Sequence, residues 1–166
     1  MQKFTPFIWF QGNAEEAMNY YVATFKNSKI THIERYAGDQ GIPGEKELKG
    51  KVLTGVFELD GQQFMCLDGG PVFEMTGAIS FQVEYDTQAE LDEVWEKLID
   101  GGKPLQCGWV TDKFGVTWQI TPAALGKMMS DPAATPRQKK ALMQAMMPMV
   151  KLDIAKLEAA FEGAKQ

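Results

Sequence analysis

Histidine is almost missing from this chain: His32 is the only one in 166 residues. A single chain therefore cannot supply a metal or catalytic centre that needs two imidazoles. Cysteine is scarce too. Cys66 and Cys107 lie in different apolar runs with no CxxC spacing, which argues against a disulfide scaffold or a thiolate knuckle. Reduced thiols in a cytoplasmic protein are the plain expectation. Positive charge is thin as well: the net charge is −5, the pI is near 5.0, and no basic cluster is longer than Arg137-Gln-Lys139-Lys140. Nothing here offers a footprint to phosphate backbones, so no nucleic-acid partner is expected. No apolar run reaches membrane length. The first ten residues, MQKFTPFIWF, lack the long apolar region and small-residue cleavage site of a signal peptide.

What is present belongs to an ordinary folded protein. Hydrophobic residues make up 45% and charged ones 23%, and the length suits one domain or two small modules. Residues 4 to 10 read as a strand. Asn13, with Glu16 three residues on, has the pattern of a capping box, and Ala14, Ala17, Met18, Tyr21 and Phe25 form an apolar stripe of helical period over 13 to 26. A strand is expected over 28 to 37, then a Gly/Pro-rich loop over 38 to 50. Two strands flank Asp60-Gly61, a strong hairpin signal. The pattern then recurs: a strand over 78 to 84, a second capping box at Thr87 and Glu90, and a stripe of Leu91, Val94, Trp95 and Leu98 ending at Gly101-Gly102. Strands over 104 to 110 and 116 to 121 follow, joined by a turn at 112 to 115.

A shift of 74 positions carries Asn13 and Glu16 onto Thr87 and Glu90, and Phe4 onto Ala78. Strand order, helix length and hairpin agree, so one unit is used twice. From residue 123 the chain turns rich in Ala, Lys, Met and Leu, and Pro132, Pro136 and Pro148 cut it into helical pieces. The methionines between Met128 and Met149 read as helix-packing residues.

Several stretches resemble the PhnB-like family, which often carries the label 3-demethylubiquinone-9 3-methyltransferase: WFQGNAEEAMNYYVATF, FELDGQQFMCLDGGP, VWEKLIDGG, and above all CGWVTDKFGVTWQITP. That family belongs to the vicinal-oxygen-chelate superfamily with glyoxalase I and bleomycin-resistance proteins. The resemblance implies an α+β fold in which two βαβββ modules, about 1–73 and 77–122, pair as one domain around a cavity. A helical extension, 123–166, would pack on that domain or on a dimer partner. It also implies a homodimer.

Superfamily enzymes hold a divalent ion on cavity-facing His and Glu or Gln residues. By the resemblance the first strand turns Phe4, Pro6, Ile8 and Phe10 to the cavity, the fourth Phe64, Cys66 and Asp68, the fifth Ala78, Ser80 and Gln82, and the last Thr117, Gln119 and Thr121. Gln119 stands where the final ligand, often Glu, would be. Such a set lacks at least two ligands, so neither a catalytic metal nor another cofactor is expected. Phe4, Phe64, Cys66, Asp68, Ser80, Gln82, Trp109, Thr117 and Gln119 are instead expected to line a small-molecule pocket: apolar walls with a few hydrogen-bonding groups. No catalytic residue is assigned. His32 beside Glu34 reads as a surface residue, and Cys66 as a small buried apolar one. The competing expectations are an enzyme on the same scaffold, of metal-dependent lyase or dioxygenase type or a methyltransferase, and a protein whose Met-rich tail serves assembly. S-adenosylmethionine sites on doubly wound folds need a Gly-rich turn between strand and helix. Neither LDGGP nor DGGKP leads into a helix.

Overall fold

The computed structural model describes residues 3 to 165, and its contacts divide into two units, Met1–Glu74 and Met75–Gln166. In the first unit the chain runs β1 (Phe7–Phe10), α1 (Ala14–Thr24), β2 (Lys29–Arg35), a one-turn α2 (Glu45–Leu48), β3 (Val52–Leu59) and β4 (Gln62–Asp68). In the second it runs β5 (Phe81–Tyr85), α3 (Gln88–Ile99), β6 (Lys103–Pro104), β7 (Trp109–Thr111) and β8 (Thr117–Pro122), then α4 (Ala123–Ser130), α5 (Pro136–Met146) and α6 (Ile154–Gly163). The two sheets have the same connectivity, β1-β4-β3-β2 and β5-β8-β7-β6, with a parallel pair at β1–β4 and again at β5–β8. The internal repeat is thus a repeat of topology. The fold is α+β, as the sequence implied.

Local chemistry explains most of the elements. The hairpin between β3 and β4 turns on Asp60 (φ 47°) and Gly61 (φ 80°), the two positive φ values that a two-residue loop matching the strand twist requires. The α3 helix starts as expected, with Thr87 Oγ1 accepting from the Glu90 N–H. The start of α1 differs. Asn13 occupies the N-cap position without a side-chain cap, and its Oδ1 accepts only a long bond from Gln11 N at 3.4 Å. The capping carboxylate comes from β4: Asp68 Oδ2 accepts from Ala14 N at 3.0 Å and Oδ1 from Gly12 N. A full negative charge from the neighbouring strand at a helix N-terminus displaces the weaker local amide.

Under α1, Met18 rests on Gly55: a Cβ there would lie 2.3 Å from Met18 Sδ and 3.1 Å from Cys66 Sγ. Tyr21, Phe57 and Phe64 stack in series, with centroids 6.2 and 5.5 Å apart. In the second unit the stripe Leu91, Val94, Trp95 and Leu98 is buried, together with Val110, Trp118 and Ile120. Asp112, also buried, accepts from Phe114 N, Val116 N and Trp118 Nε1 at 2.8 to 3.0 Å and so closes the β7–β8 turn. The tail joins this unit. Cys107 N and Gly108 N donate to the Met149 and Val150 carbonyls at 2.7 and 2.8 Å. Gln88 holds the same segment by donating to Leu152 O and accepting from Ile154 N. Leu142, Leu152, Leu157 and Phe161 then form a separate small core, with Met128, Met146 and Met149 packed against it.

Candidate functional site

The face of each sheet turned away from its helix is where a guest could be held, and the two faces differ in chemistry. In the second unit, β5 and β8 alternate cleanly. Gln82 stands opposite Gln119, and Trp109 and Thr111 oppose Gln119 and Thr117. This row bonds to itself: Gln119 Nε2 donates to Ser80 Oγ at 2.8 Å, Gln82 Nε2 to Thr121 Oγ1 at 3.2 Å and to Glu84 Oε1 at 3.1 Å, and the Thr111 and Thr117 hydroxyls lie 3.3 Å apart. Trp109 is half-buried beside it. The expected polar row is real in space, and its hydrogen-bonding groups meet one another.

In the first unit the expected faces are inverted. Ile8 and Phe10 are buried, and Ile8 pairs with Cys66, which lies against Met18 of α1. Phe64 belongs to the ring stack under the same helix. Phe64 and Cys66 are therefore core residues, and burial pushes the Cys66 thiol up to about 11, leaving it neutral and unreactive. Asp68 is engaged at the start of α1, and Phe4, 89% exposed, precedes β1. The outward set is Phe7 and Trp9 on β1 with their partners Met65 and Leu67 on β4. The two units also differ by one residue in their connectors. Gln11-Gly12-Asn13 joins β1 to α1, whereas Asp86-Thr87 joins β5 to α3. A repeat aligned on its helices thus puts the first strand out of phase, and a one-residue slip exchanges faces.

Trp9 is the fixed point of this surface. Its indole N–H donates to Gly70 O at 2.8 Å, and Phe73 meets it edge-on with centroids 5.0 Å apart at 89°. Beside it lies a groove of about 570 Å³, lined by Trp9, Tyr36, Ile42, Pro43, Leu48, Lys51 and Leu67, with Asp68 to Gly70 at one end. The far wall is the 38–50 segment, which is not a slack loop. Buried Glu45 accepts from the N–H groups of Gln40, Gly41 and Ile42 at 2.9 to 3.1 Å, fixing Ile42 and Pro43 in place. Tyr36 OH donates to Asp68 O at 2.9 Å, tying the groove floor to the helix cap. Burial, and then the nearby Asp68 charge, raise the Tyr36 phenol above its ordinary value.

Metal chemistry finds little purchase. Among the described residues no three His, Cys, Asp or Glu side chains come together. His32 pairs with Val56 across β2 and β3. Its side chain is 63% exposed, with Nε2 3.8 Å from Glu34 Oε2. The polar row offers hydroxyls and amides with a single carboxylate, Glu84, so the residues present do not fit the divalent ion that the resemblance implies. Trp9, Ile42, Lys51 and Glu45 were not candidates from sequence. The one signal for them was the run Phe7-Ile8-Trp9-Phe10, which places a ring on both faces whatever the register.

Comparison with known proteins agrees with the topology. The family model for 3-demethylubiquinone-9 3-methyltransferase matches residues 2–121. The PhnB protein of Bacillus cereus is 41% identical, covering 74% of this chain and 100% of its own, with a TM-score of 0.66. Protein PA1353 of Pseudomonas aeruginosa shares the fold at 22% identity and a TM-score of 0.62, over 74% of this chain and 98% of its own. A glyoxalase-related enzyme of Fulvimarina pelagi is a more distant likeness, at 13% identity and a TM-score of 0.48 over 75% of this chain and 91% of its own. No curated protein matches. With the family model spanning both βαβββ units and a 41% identical relative covered end to end, the chain belongs to the PhnB-like, 3-demethylubiquinone-9 3-methyltransferase family.

Proposed function

We propose that this chain is a binding protein that takes a small organic molecule into the groove beside Trp9, without a metal ion. The observation that carries the reading is the groove itself. About 570 Å³ of mostly apolar space around an indole held by its own hydrogen bond falls within the size and character of small-molecule sites. A ring fixed before the guest arrives loses little freedom on binding. The polar row Ser80, Gln82, Thr117 and Gln119 supports a separate, structural part, because inward polar groups bonded to one another need no guest. Polarising a substrate through an ion would need several imidazoles and carboxylates gathered at one point, and among the described residues no three His, Cys, Asp or Glu side chains come together. Methyl transfer has no Gly-rich strand-to-helix turn to rest on.

The protein acts in the cytoplasm as a homodimer, in the same proposal. Two free thiols, Cys66 and Cys107, suit a reducing compartment. The exposed Phe4, Phe7, Val72 and Phe73 give the first unit an apolar surface that a second copy would cover.

The test is a thermal-shift titration over small aromatic and alicyclic compounds. At least one compound should raise the melting temperature in a concentration-dependent way, and Trp9→Ala and Ile42→Asp should each abolish the rise. If no compound acts, or if the rise survives both substitutions, the reading fails. A stoichiometric divalent ion in the purified protein, or stabilisation by S-adenosylmethionine, would return the enzyme reading.

A further inference from the structure

We propose that the groove beside Trp9 selects organic anions: an apolar body set on Trp9, Leu67 and Ile42, with an acidic head group against Lys51. The inference rests on the binding reading above and adds the charge of the guest. It follows from asking which polar groups of the groove remain available. The Trp9 indole N–H is engaged by Gly70 O and the Tyr36 hydroxyl by Asp68 O. The Gln11 amide donates to Phe73 O at 2.6 Å. Asp68, the one carboxylate of the lining, accepts from Gly12 N and Ala14 N at the head of α1, where the helix dipole offsets its charge.

Lys51 is left. It lines the groove and also the smaller depression beside it at the start of α1, and among the described residues its ammonium has no carboxylate within ion-pair distance. Glu15 and Glu16 line that depression too, and Glu15 is held by Arg35 in a two-pronged pair at 2.7 and 2.9 Å. An unpaired cation at the edge of an apolar groove attracts an anion more strongly than it would in open water, because the walls lower the local dielectric. A neutral guest gains nothing from it, and a cationic one is repelled.

The probes are 2-naphthoate, its methyl ester and 2-naphthylmethylamine, followed through the Trp9 indole N–H in two-dimensional NMR, with the resonance assigned by Trp9→Phe. The acid should bind at least about tenfold more tightly than the ester, a difference of about 1.4 kcal/mol, and the amine more weakly than either. Lys51→Gln should bring acid and ester together, Lys51→Arg should keep them apart, and added salt should weaken only the acid. Equal affinity for acid and ester in the wild type would overturn charge selection and leave the groove standing. An acid preference that survives Lys51→Gln would overturn the part given to Lys51. If no probe moves the Trp9 signal, this inference and the binding reading fall together.

Discussion

The two βαβββ units share one topology and carry opposite surfaces. In the second, the face away from the helix is a ladder of hydroxyls and amides that satisfy one another; in the first it is Phe7, Trp9, Met65 and Leu67 beside an apolar groove. A carboxylate ties two elements together in each unit, but at different places. Asp112 closes a β turn inside the core of the second unit, whereas Asp68 crosses from strand to helix at the groove of the first. One topology thus carries two surfaces, one closed on its own hydrogen bonds and one with an open apolar groove.

The largest effect expected from breaking this comparison comes from Asp112→Ala. It leaves two backbone N–H groups and the buried Trp118 indole without an acceptor, so the second unit should lose about 3 kcal/mol or more in urea unfolding. Next is alkaline pH. The position that Cys66 holds beside Ile8 is filled by Ile120 beside Val83 in the second unit, so only the first can titrate there. Because burial raises the Cys66 pKa from its ordinary 9.0 to about 11, the folded state favours the neutral thiol. Its contribution is complete below pH 9 and is lost as pH rises toward 11, on the order of 2 kcal/mol. Stability measured from pH 8 to 11 should fall, and Cys66→Ala should flatten the fall, leaving the slopes of Tyr36 and Lys151, which have the same sign.

Asp68→Ala should cost about 1 to 2 kcal/mol, the range for a lost helix cap, and should weaken binding at Trp9. If binding is untouched, the link from helix cap to groove is wrong. The smallest effect belongs to the polar ladder. Ser80→Ala together with Gln119→Leu removes both ends of one bond. It should change stability by less than about 1 kcal/mol and leave guest binding unchanged. A loss of binding in that double variant would move the site to the second unit.

The architecture was legible from sequence wherever pattern and period were unambiguous. The stripe of α3, the Thr87 cap, the Asp60-Gly61 hairpin and the doubled topology all stand as read. Face assignment in the second unit was legible because Ser-Phe-Gln-Val-Glu and Thr-Trp-Gln-Ile-Thr alternate polar with apolar. It failed in the first because Phe7 to Phe10 and Phe64 to Leu67 are apolar throughout, so nothing along the strand marks its phase. The Asn13 cap failed for a different reason: local pattern cannot see a carboxylate that arrives from a strand 55 positions later. The groove wall was hidden likewise, since Glu45 looks like a surface acid until its three backbone donors are seen.

The Met149 and Val150 carbonyls, paired with Cys107 and Gly108, have a consequence for the continuity of the chain. A backbone cut at Pro148 would sever the covalent path to α6 yet leave those bonds, the Gln88 clasp and the Leu142 to Phe161 cluster in place. The final segment is a complementary fragment already docked on its template, and a nicked molecule would stay whole until denatured.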